Sequence, residues 1–174
     1  MRKLASIQKI KEIESIEGAD AIEKAYVLGW QLVIRKGEFS VGNLCVYCEI
    51  DSIMPDKPEF EFVRAKSNRI KTIRLRGQIS QGICFPLSVL PEGTEIVEDM
   101  DVTEILGVTK FEPPIPANLA GTVKGMFPSF IPKTDETRVQ VLEKVLTTYA
   151  GTVCYVTEKL DGSSVTFYMK DGEF

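Results

Sequence analysis

The sequence contains no histidine among its 174 residues. Catalysis by Ser–His or Cys–His pairs is therefore excluded, and so is zinc held by histidine. Cys45 and Cys48 have C-x-x-C spacing, but they fall in a run typical of a strand, where residues three apart point to opposite faces. A structural zinc would also need a second ligand pair. We predict no metal ligands in this chain, and buried, reduced thiols at the four cysteines, Cys45, Cys48, Cys84 and Cys154.

Long apolar runs are also missing. No stretch approaches the roughly 20 residues that span a bilayer, and the N-terminus leads into mixed sequence rather than into the apolar core of a signal peptide. We therefore expect a cytoplasmic protein that does not contact membranes. The sequence lacks the pattern G-x-x-x-x-G-K-[ST] as well, which excludes ordinary P-loop phosphate binding. Nothing in the sequence indicates a protein partner.

The formal net charge of -4 argues against a protein that coats nucleic acid with its whole surface. A local basic patch stays open, and one stretch fits it: no acidic residue lies between Arg64 and Arg76. The candidates for RNA contact in this stretch are Arg69, Lys71, Arg74 and Arg76. The alternative is a solvated strand and loop, the usual place of a charge run.

Short strands separated by turns are predicted over residues 1–105. Apolar, β-branched and aromatic residues favour strands at 4–10, 22–28, 30–34, 43–50, 70–75 and 82–87. Five or more short strands with glycine-rich turns in about 100 residues are typical of a small closed barrel, so the fold class is mainly β. The aromatic residues Tyr26, Trp30 and Phe39 suit either the core of such a barrel or base-stacking platforms.

The second half of the chain changes character. Residues 106–132 are rich in proline, which predicts an extended linker. Apolar positions at helical spacing predict a helix over 135–149, and strands are predicted over 152–158 and 163–169. A hairpin on one helix is too little for a stable domain. We therefore expect the chain to be cut off inside a second domain that begins near residue 133.

One tetrapeptide, residues 159–162, contains a candidate catalytic residue. Lys159 begins a K-x-D-G pattern at the junction between a predicted strand and a turn. Attack of an amine on phosphorus needs an unprotonated lysine, so a site must lower the lysine pKa from about 10.4 by burial and nearby cations. Gly162 lets the backbone approach a nucleotide, Glu158 could accept a hydrogen bond from adenine, and Asp161 could orient the lysine or a ribose hydroxyl. A surface turn is the alternative, and the apolar strands predicted on both sides favour the site.

Several stretches together resemble one family. VTEKLDGSS (residues 156–164) resembles motif I of the covalent nucleotidyltransferases, which are RNA ligases, DNA ligases and mRNA capping enzymes, and is most similar to the RNA ligase 2-like group. FIPKTDETRVQ (130–140) resembles the segment before motif I in RNA ligases with an N-terminal OB domain. Four stretches resemble that OB domain, namely GAD (18–20), KGEF (36–39), EIDS (49–52) and RLRGQISQG (74–82). The resemblance covers nearly the whole chain.

The resemblance implies an OB-fold barrel over residues 1–105, a linker over 106–132, and over 133–174 the beginning of an α+β nucleotidyltransferase (adenylyltransferase) domain. It implies an ATP-dependent RNA ligase, with a role in RNA repair, in which Lys159 forms a lysyl-AMP and RNA 3′-hydroxyl and 5′-phosphate ends are joined. Glu158, Asp161 and Gly162 would bind the nucleotide, and Arg138 would contact phosphate in the ligation steps. Mg²⁺ or Mn²⁺ would neutralise the phosphates.

The family's metal-binding carboxylates and paired lysines would lie beyond Phe174. The 174-residue chain alone is therefore expected to be inactive. Two alternatives stay open. One is an OB-fold module that binds tRNA or other RNA without catalysis, which would not need the motif at Lys159. The other is a DNA ligase or capping enzyme, families in which the OB domain usually follows the nucleotidyltransferase domain instead of preceding it.

Overall fold

The computed structural model describes residues 3–119, 121–122, 127–132, 137–158, 160 and 165–172. The chain divides into two units, Met1–Glu143 and Lys144–Phe174. The predicted domain boundaries near residues 105 and 132 stay a prediction. None of the helices in the described ranges is long and apolar enough to cross a membrane.

Strands dominate the first unit. They are β1 (Ala5–Ser15), β2 (Ile22–Val27), β3 (Trp30–Arg35), β4 (Leu44–Cys48), β5 (Ser52–Ile53), β6 (Thr72–Leu75), β7 (Gln78–Gln81), β8 (Ile83–Phe85) and β9 (Thr109–Lys110). The α-helices are α1 (Glu61–Arg64), α2 (Thr103–Leu106) and α3 (Glu143–Thr148), and single 3-10 turns lie at Pro58–Phe60, Leu87–Val89, Ala117–Leu119 and Val139–Val141. The mainly β class is confirmed, and each of the six predicted strands of the first half overlaps an observed strand.

A five-stranded antiparallel sheet, in the order β3-β2-β1-β4-β8, forms the body of the first unit. The long strand β1 pairs with β4 over Ala5 to Lys9 and with β2 over Ile10 to Ser15. Its register with β2 is irregular between Ile10 and Glu12. An extra residue at such a point bends the strand and increases its twist, so one strand serves both halves of a curled half-barrel.

Two apolar clusters fill the curl. The first is built around β1, β4, β8 and α2, with Ile7, Val46, Phe60, Phe85 and Leu106 among its buried members. The second lies against β2 and β3 and includes Ile10, Val27, Trp30, Leu32 and Phe39. In β3 the residues alternate between buried and half-buried or exposed, as the period of a strand requires. Trp30 and Phe39 are therefore core residues.

Two hydrogen bonds donated by residues of β3 connect the two ends of the sheet. The Gln31 Nε2 donates to the Ile79 carbonyl over 2.8 Å, and the Val33 backbone N–H donates to the Ser80 hydroxyl over 3.0 Å. Both acceptors belong to β7, which leads through Gly82 into β8 at the other end of the sheet. The curled sheet is thereby brought towards closure without a full ladder between its edge strands.

The C-terminal part of the chain, which includes the second unit, differs from the prediction. Residues 133–136 of the predicted helix lie outside the described residues. Among the described ones the helix begins at Glu143, because Arg138 is extended, a 3-10 turn follows it, and the Gln140 carbonyl accepts from Gly29. The predicted strand over 152–158 is wrong, and no strand covers residues 165–169. Apolar residues such as Val153 and Tyr155 are about nine-tenths exposed, because this unit supplies too little apolar surface to cover them.

Candidate functional site

The hairpin of β6 and β7 carries exposed cations. Leu75 pairs with Gln78, so Arg76 and Gly77 form a two-residue turn, and both have positive φ, 49° and 78°. Positive φ at both positions belongs to the tight turn whose twist matches that of the flanking strands. This hairpin differs from the prediction, which placed a strand over residues 70–75 and none over residues 78–81. The arginine–glycine pair between two β-prone runs was the signal for it.

Three of the four predicted RNA-binding residues are on this hairpin or next to it. Lys71, Arg74 and Arg76 are exposed, and no hydrogen bond or ion pair engages their head groups within the described ranges. Every residue of β6 is exposed, including Ile73 and Leu75 on the face opposite to Arg74. The hairpin therefore presents cations beside apolar side chains, and exposed cations of this kind are suited to contact with the phosphates of single-stranded nucleic acid.

Arg69, the fourth residue, is engaged inside the protein. Its Nε and Nη2 donate to the Asp51 Oδ1 over 3.1 and 2.6 Å, and its guanidinium carbon lies 3.7 Å from the centroid of the Phe111 ring. Asp51 also accepts at its backbone carbonyl from the Phe111 N–H over 2.8 Å. Arg69 thus joins three segments that are distant in sequence, and both its side chain and that of Asp51 are about 30% exposed.

Lys110 is a further exposed cation that the sequence analysis did not select. It pairs with Ser52 through the short β5–β9 ladder, directly before Phe111. The sequence does not predict that Lys110 lies near the basic stretch, because only the pairing of β5 with β9 brings residue 110 beside the segment that Arg69 stabilises.

The candidate catalytic residues are described only in part. Lys159, Asp161 and Gly162 lie outside the described residues, and Glu158 is exposed in a segment without regular structure. Arg138, in the first unit, is extended at φ -69° and ψ 139°, and its guanidinium carbon lies 5.7 Å from the centroid of the Trp30 ring. The assignments of Lys159, Glu158, Asp161, Gly162 and Arg138 all stay predictions.

No three His, Cys, Asp or Glu side chains come together in a way that could hold a metal ion in the part of the chain that the structure describes. We therefore assign no metal ligand among these residues.

The cysteines of the barrel are buried thiols. Cys45 and Cys48 lie in different apolar clusters, as expected of strand residues three apart. The Sγ atoms of Cys45 and Cys84 are 3.4 Å apart. Burial raises the pKa of Cys48, and burial together with the hydrogen bond between Cys84 and Cys45 raises the pKa of Cys84 well above its usual range. Cys154 is exposed, so its predicted burial is wrong.

Comparison with known proteins agrees with this architecture. A protein-family model described as an OB-fold domain matches residues 4–87, which confirms the predicted OB fold. No curated protein matches the chain. Solved structures of the Naegleria gruberi RNA ligase do match. An apo point mutant is 45% identical over 86% of this chain and 47% of its own, with a TM-score of 0.74.

Two other structures of the Naegleria gruberi RNA ligase give similar values. The structure with PPi is 44% identical over 87% of this chain and 48% of its own, with a TM-score of 0.72. A point mutant with ATP and Mn is 45% identical over 86% of this chain and 47% of its own, with a TM-score of 0.72. The chain spans about half the length of these proteins. The resemblance to an RNA ligase with an N-terminal OB domain is confirmed.

Proposed function

We propose that this chain, a relative of the Naegleria gruberi RNA ligase, is part of an ATP-dependent enzyme that joins RNA 3′-hydroxyl and 5′-phosphate ends. One observation carries the proposal: identity of 45% extends over 86% of the chain, well beyond the OB-fold domain at residues 4–87. An RNA-binding module without catalysis, the alternative, would account for the barrel but not for similarity through the second half of the chain.

Lys159 is the proposed nucleophile. Its unprotonated amine would attack the α-phosphorus of ATP, so that a nitrogen–phosphorus bond forms and the bond to the leaving pyrophosphate breaks. Glu158 would accept from the adenine amino group, Asp161 would orient the lysine or a ribose hydroxyl, and Gly162 would leave room for the nucleotide. The AMP then passes to an RNA 5′-phosphate, and a 3′-hydroxyl displaces it in the sealing step.

Nucleotide and metal use is supported by the relatives, whose structures contain ATP, AMP and Mn. Mg²⁺ or Mn²⁺ is the proposed cofactor, and when bound it would neutralise phosphate charge. A cytoplasmic location and a role in RNA repair stay predictions.

The barrel would hold RNA through the exposed cations Lys71, Arg74 and Arg76. OB folds bind single strands in a positively charged groove with apolar and aromatic side chains beside it. The β6–β7 hairpin supplies cations and the apolar Ile73 and Leu75 but contains no aromatic side chain, whereas Arg69 is engaged with Asp51 and Phe111. We therefore propose that Arg69 shapes the surface and that the other three contact phosphates.

Covalent labelling tests the nucleophile. The whole protein that contains this chain is incubated with ATP labelled on the α-phosphate, and covalent AMP on the polypeptide is measured. Lys159→Ala should abolish the label because alanine has no nucleophile, and Lys159→Arg should fail as well because a guanidinium stays protonated. Lys36→Ala, at an exposed turn of the barrel, should label as the wild type does. Label on Lys159→Ala would overturn the assignment.

The 174-residue chain is tested beside the whole protein. We expect no label on it even with Lys159 intact, because the groups that the family uses to bind metal and triphosphate would lie beyond Phe174. Strong labelling of the 174-residue chain would show that the active site is complete within it.

A further inference from the structure

The turn between β2 and β3 is in direct contact with the segment that carries Arg138. The Gly29 N–H donates to the Gln140 carbonyl over 2.9 Å. A Cβ on Gly29 would lie 2.9 Å from the Gln140 Cα and 3.1 Å from its carbonyl oxygen. Real Cβ atoms essentially never come that close to backbone, so residue 29 has to be glycine for residues 138–141 to lie where they do.

Glycine is required at position 29 because the Gln140 backbone lies so close to it, and not because of the backbone conformation of Gly29. In the Leu28–Gly29 turn the positive φ, 54°, belongs to Leu28, while Gly29 does not have a positive φ. Glycine would normally occupy the left-handed position. Leu28 instead accepts that conformation and packs against the second apolar cluster. The order of the two residues keeps an apolar side chain on the core and leaves the space above Gly29 to Gln140.

Trp30, the residue after Gly29, also contributes to the contact between the barrel and residues 138–141. It is 2% exposed, and its indole Nε1 has no hydrogen-bond partner among the described residues, so hydrogen bonding does not explain a tryptophan at this position. Its ring lies within 6 Å of the Arg138 guanidinium, the range of a cation–π contact. Val141 packs on the same cluster, and Lys11 on β1 forms an ion pair with Glu143.

We propose that Gly29 and Trp30 are positioning residues for Arg138, and that the β2–β3 turn is the seat on which the barrel holds residues 138–141. The functional half of this inference rests on the proposed function, because the contact of Arg138 with phosphate is implied by resemblance. The barrel then contributes to sealing in two separate ways: exposed cations bind the RNA, and the seat fixes the position of the arginine to which the resemblance assigns phosphate contact. Damage to the seat lowers the sealing rate without weakening RNA binding.

The docking is tested first, by fluorescence of Trp30, the only tryptophan in the chain. Gly29→Ala should shift the emission to longer wavelength and increase quenching by acrylamide, because the new Cβ displaces residues 138–141 from above the ring. Gly121→Ala is the matched control, since a Cβ there meets nothing within 4 Å and its φ is ordinary. Val141→Asp, which changes no residue of β2, β3 or the turn between them, should repeat the shift because a carboxylate at this position no longer packs on the second apolar cluster. Unchanged fluorescence in both test variants would overturn the seat.

The positioning is tested in the whole protein by sealing of pre-adenylated RNA. This reaction does not require a lysyl-AMP on Lys159, because the RNA already carries the AMP. Gly29→Ala should lower the sealing rate on the order of a hundredfold, the effect of misplacing a group by about 1 Å, with the RNA Kd unchanged. In an Arg138→Ala background Gly29→Ala should have no further effect, whereas a general structural defect would add to the loss. Full additivity, or a normal rate in Gly29→Ala, would overturn the proposal.

The two proposals fail in different ways. A normal sealing rate in Arg138→Ala would overturn the positioning proposal, and AMP labelling at Lys159 would then still support the ligase. If Lys159→Ala still carries AMP, the Lys159 assignment is wrong, but the fluorescence shift and the sealing of pre-adenylated RNA still test the seat.

Discussion

Arg69 and Arg74 lie five positions apart and carry the same charge, but they have different surroundings. Arg69 is bonded to Asp51 and stacked on Phe111, whereas Arg74 extends from an exposed strand. A charged side chain that satisfies a half-buried carboxylate stabilises the fold, and one that is solvated in both states does not.

Arg69→Gln should therefore lower the free energy of unfolding by about 2 kcal/mol, because Asp51 loses a charge-assisted hydrogen bond. Arg74→Gln should change it by less than about 0.5 kcal/mol, as for most surface substitutions. Urea unfolding of the two variants measures the difference. Equal stabilities would mean that the Arg69–Asp51 pair contributes nothing to folding.

A second prediction at the residue scale concerns how a buried thiol, Cys48, affects the pH dependence of stability. Burial raises the pKa of Cys48, so it stays protonated in the folded protein when the unfolded chain loses that proton near pH about 8.5. The unfolded state then binds fewer protons, so the free energy of unfolding falls as the pH rises above this value. Cys48→Ala should make the fall between pH 9 and 10 less steep by about 1.4 kcal/mol per pH unit.

The control is Cys154→Ala, which replaces an exposed cysteine and leaves Cys48 in place, so the wild-type slope should remain. Urea titrations at fixed pH values provide the slopes. An identical slope in Cys48→Ala and in the wild type would contradict the burial argument, whatever the cavity left by the substitution costs in stability.

At the scale of elements, the β6–β7 hairpin pairs an exposed strand, β6, with a mostly half-buried strand, β7. A two-stranded ribbon with solvent on most of β6 is at most marginally stable by itself, and here Gln31 and Val33 of β3 hold β7 by hydrogen bonds. The barrel thus fixes one strand of the hairpin and leaves the other strand available for a ligand.

Replacement of Lys71, Arg74 and Arg76 by glutamine should weaken binding of single-stranded RNA and reduce its salt dependence. Each lost phosphate contact removes about 0.7 from the slope of log K against log salt, so three contacts remove about 2. Lys9→Gln is the control, because Lys9 is similarly exposed but paired with Glu98. An unchanged slope in the triple variant would identify the basic stretch as a solvated face.

At the scale of the whole molecule, the two units differ in how they use apolar residues. The first unit contains two clusters of buried apolar side chains, whereas Val153, Tyr155 and Val156 of the second are about nine-tenths exposed. Extended, exposed backbone is the preferred substrate of proteases.

Limited digestion with chymotrypsin should therefore cut after Tyr155 before it cuts after Phe62. Phe62 is also exposed, at 54%, but it lies in α1 and its ring packs on Phe85. Local unfolding of the barrel must precede a cut there. Mass spectrometry of early fragments identifies the order, and an early cut after Phe62 would show that α1 opens more readily than its contacts suggest.

The barrel was predictable from the sequence because strand patterns are local. Alternation of apolar residues and β-branched composition predicted β1 to β4, and the period of a strand placed Cys45 and Cys48 on opposite sides of β4. The K-x-D-G pattern and the stretches around it indicated the ligase resemblance for a similar reason, since they can be recognised without knowledge of distant contacts.

Tertiary structure alone decided which residues of these patterns meet. The pairing of β5 with β9 brought Lys110 and Phe111 to Arg69, and the contact of Gly29 with Gln140 keeps residues 138–141 out of the predicted helix, which begins only at Glu143. Both outcomes depend on pairs more than 40 positions apart. A local pattern carries no information on such contacts, because their free energy appears only when the barrel has closed and desolvated the groups that they join.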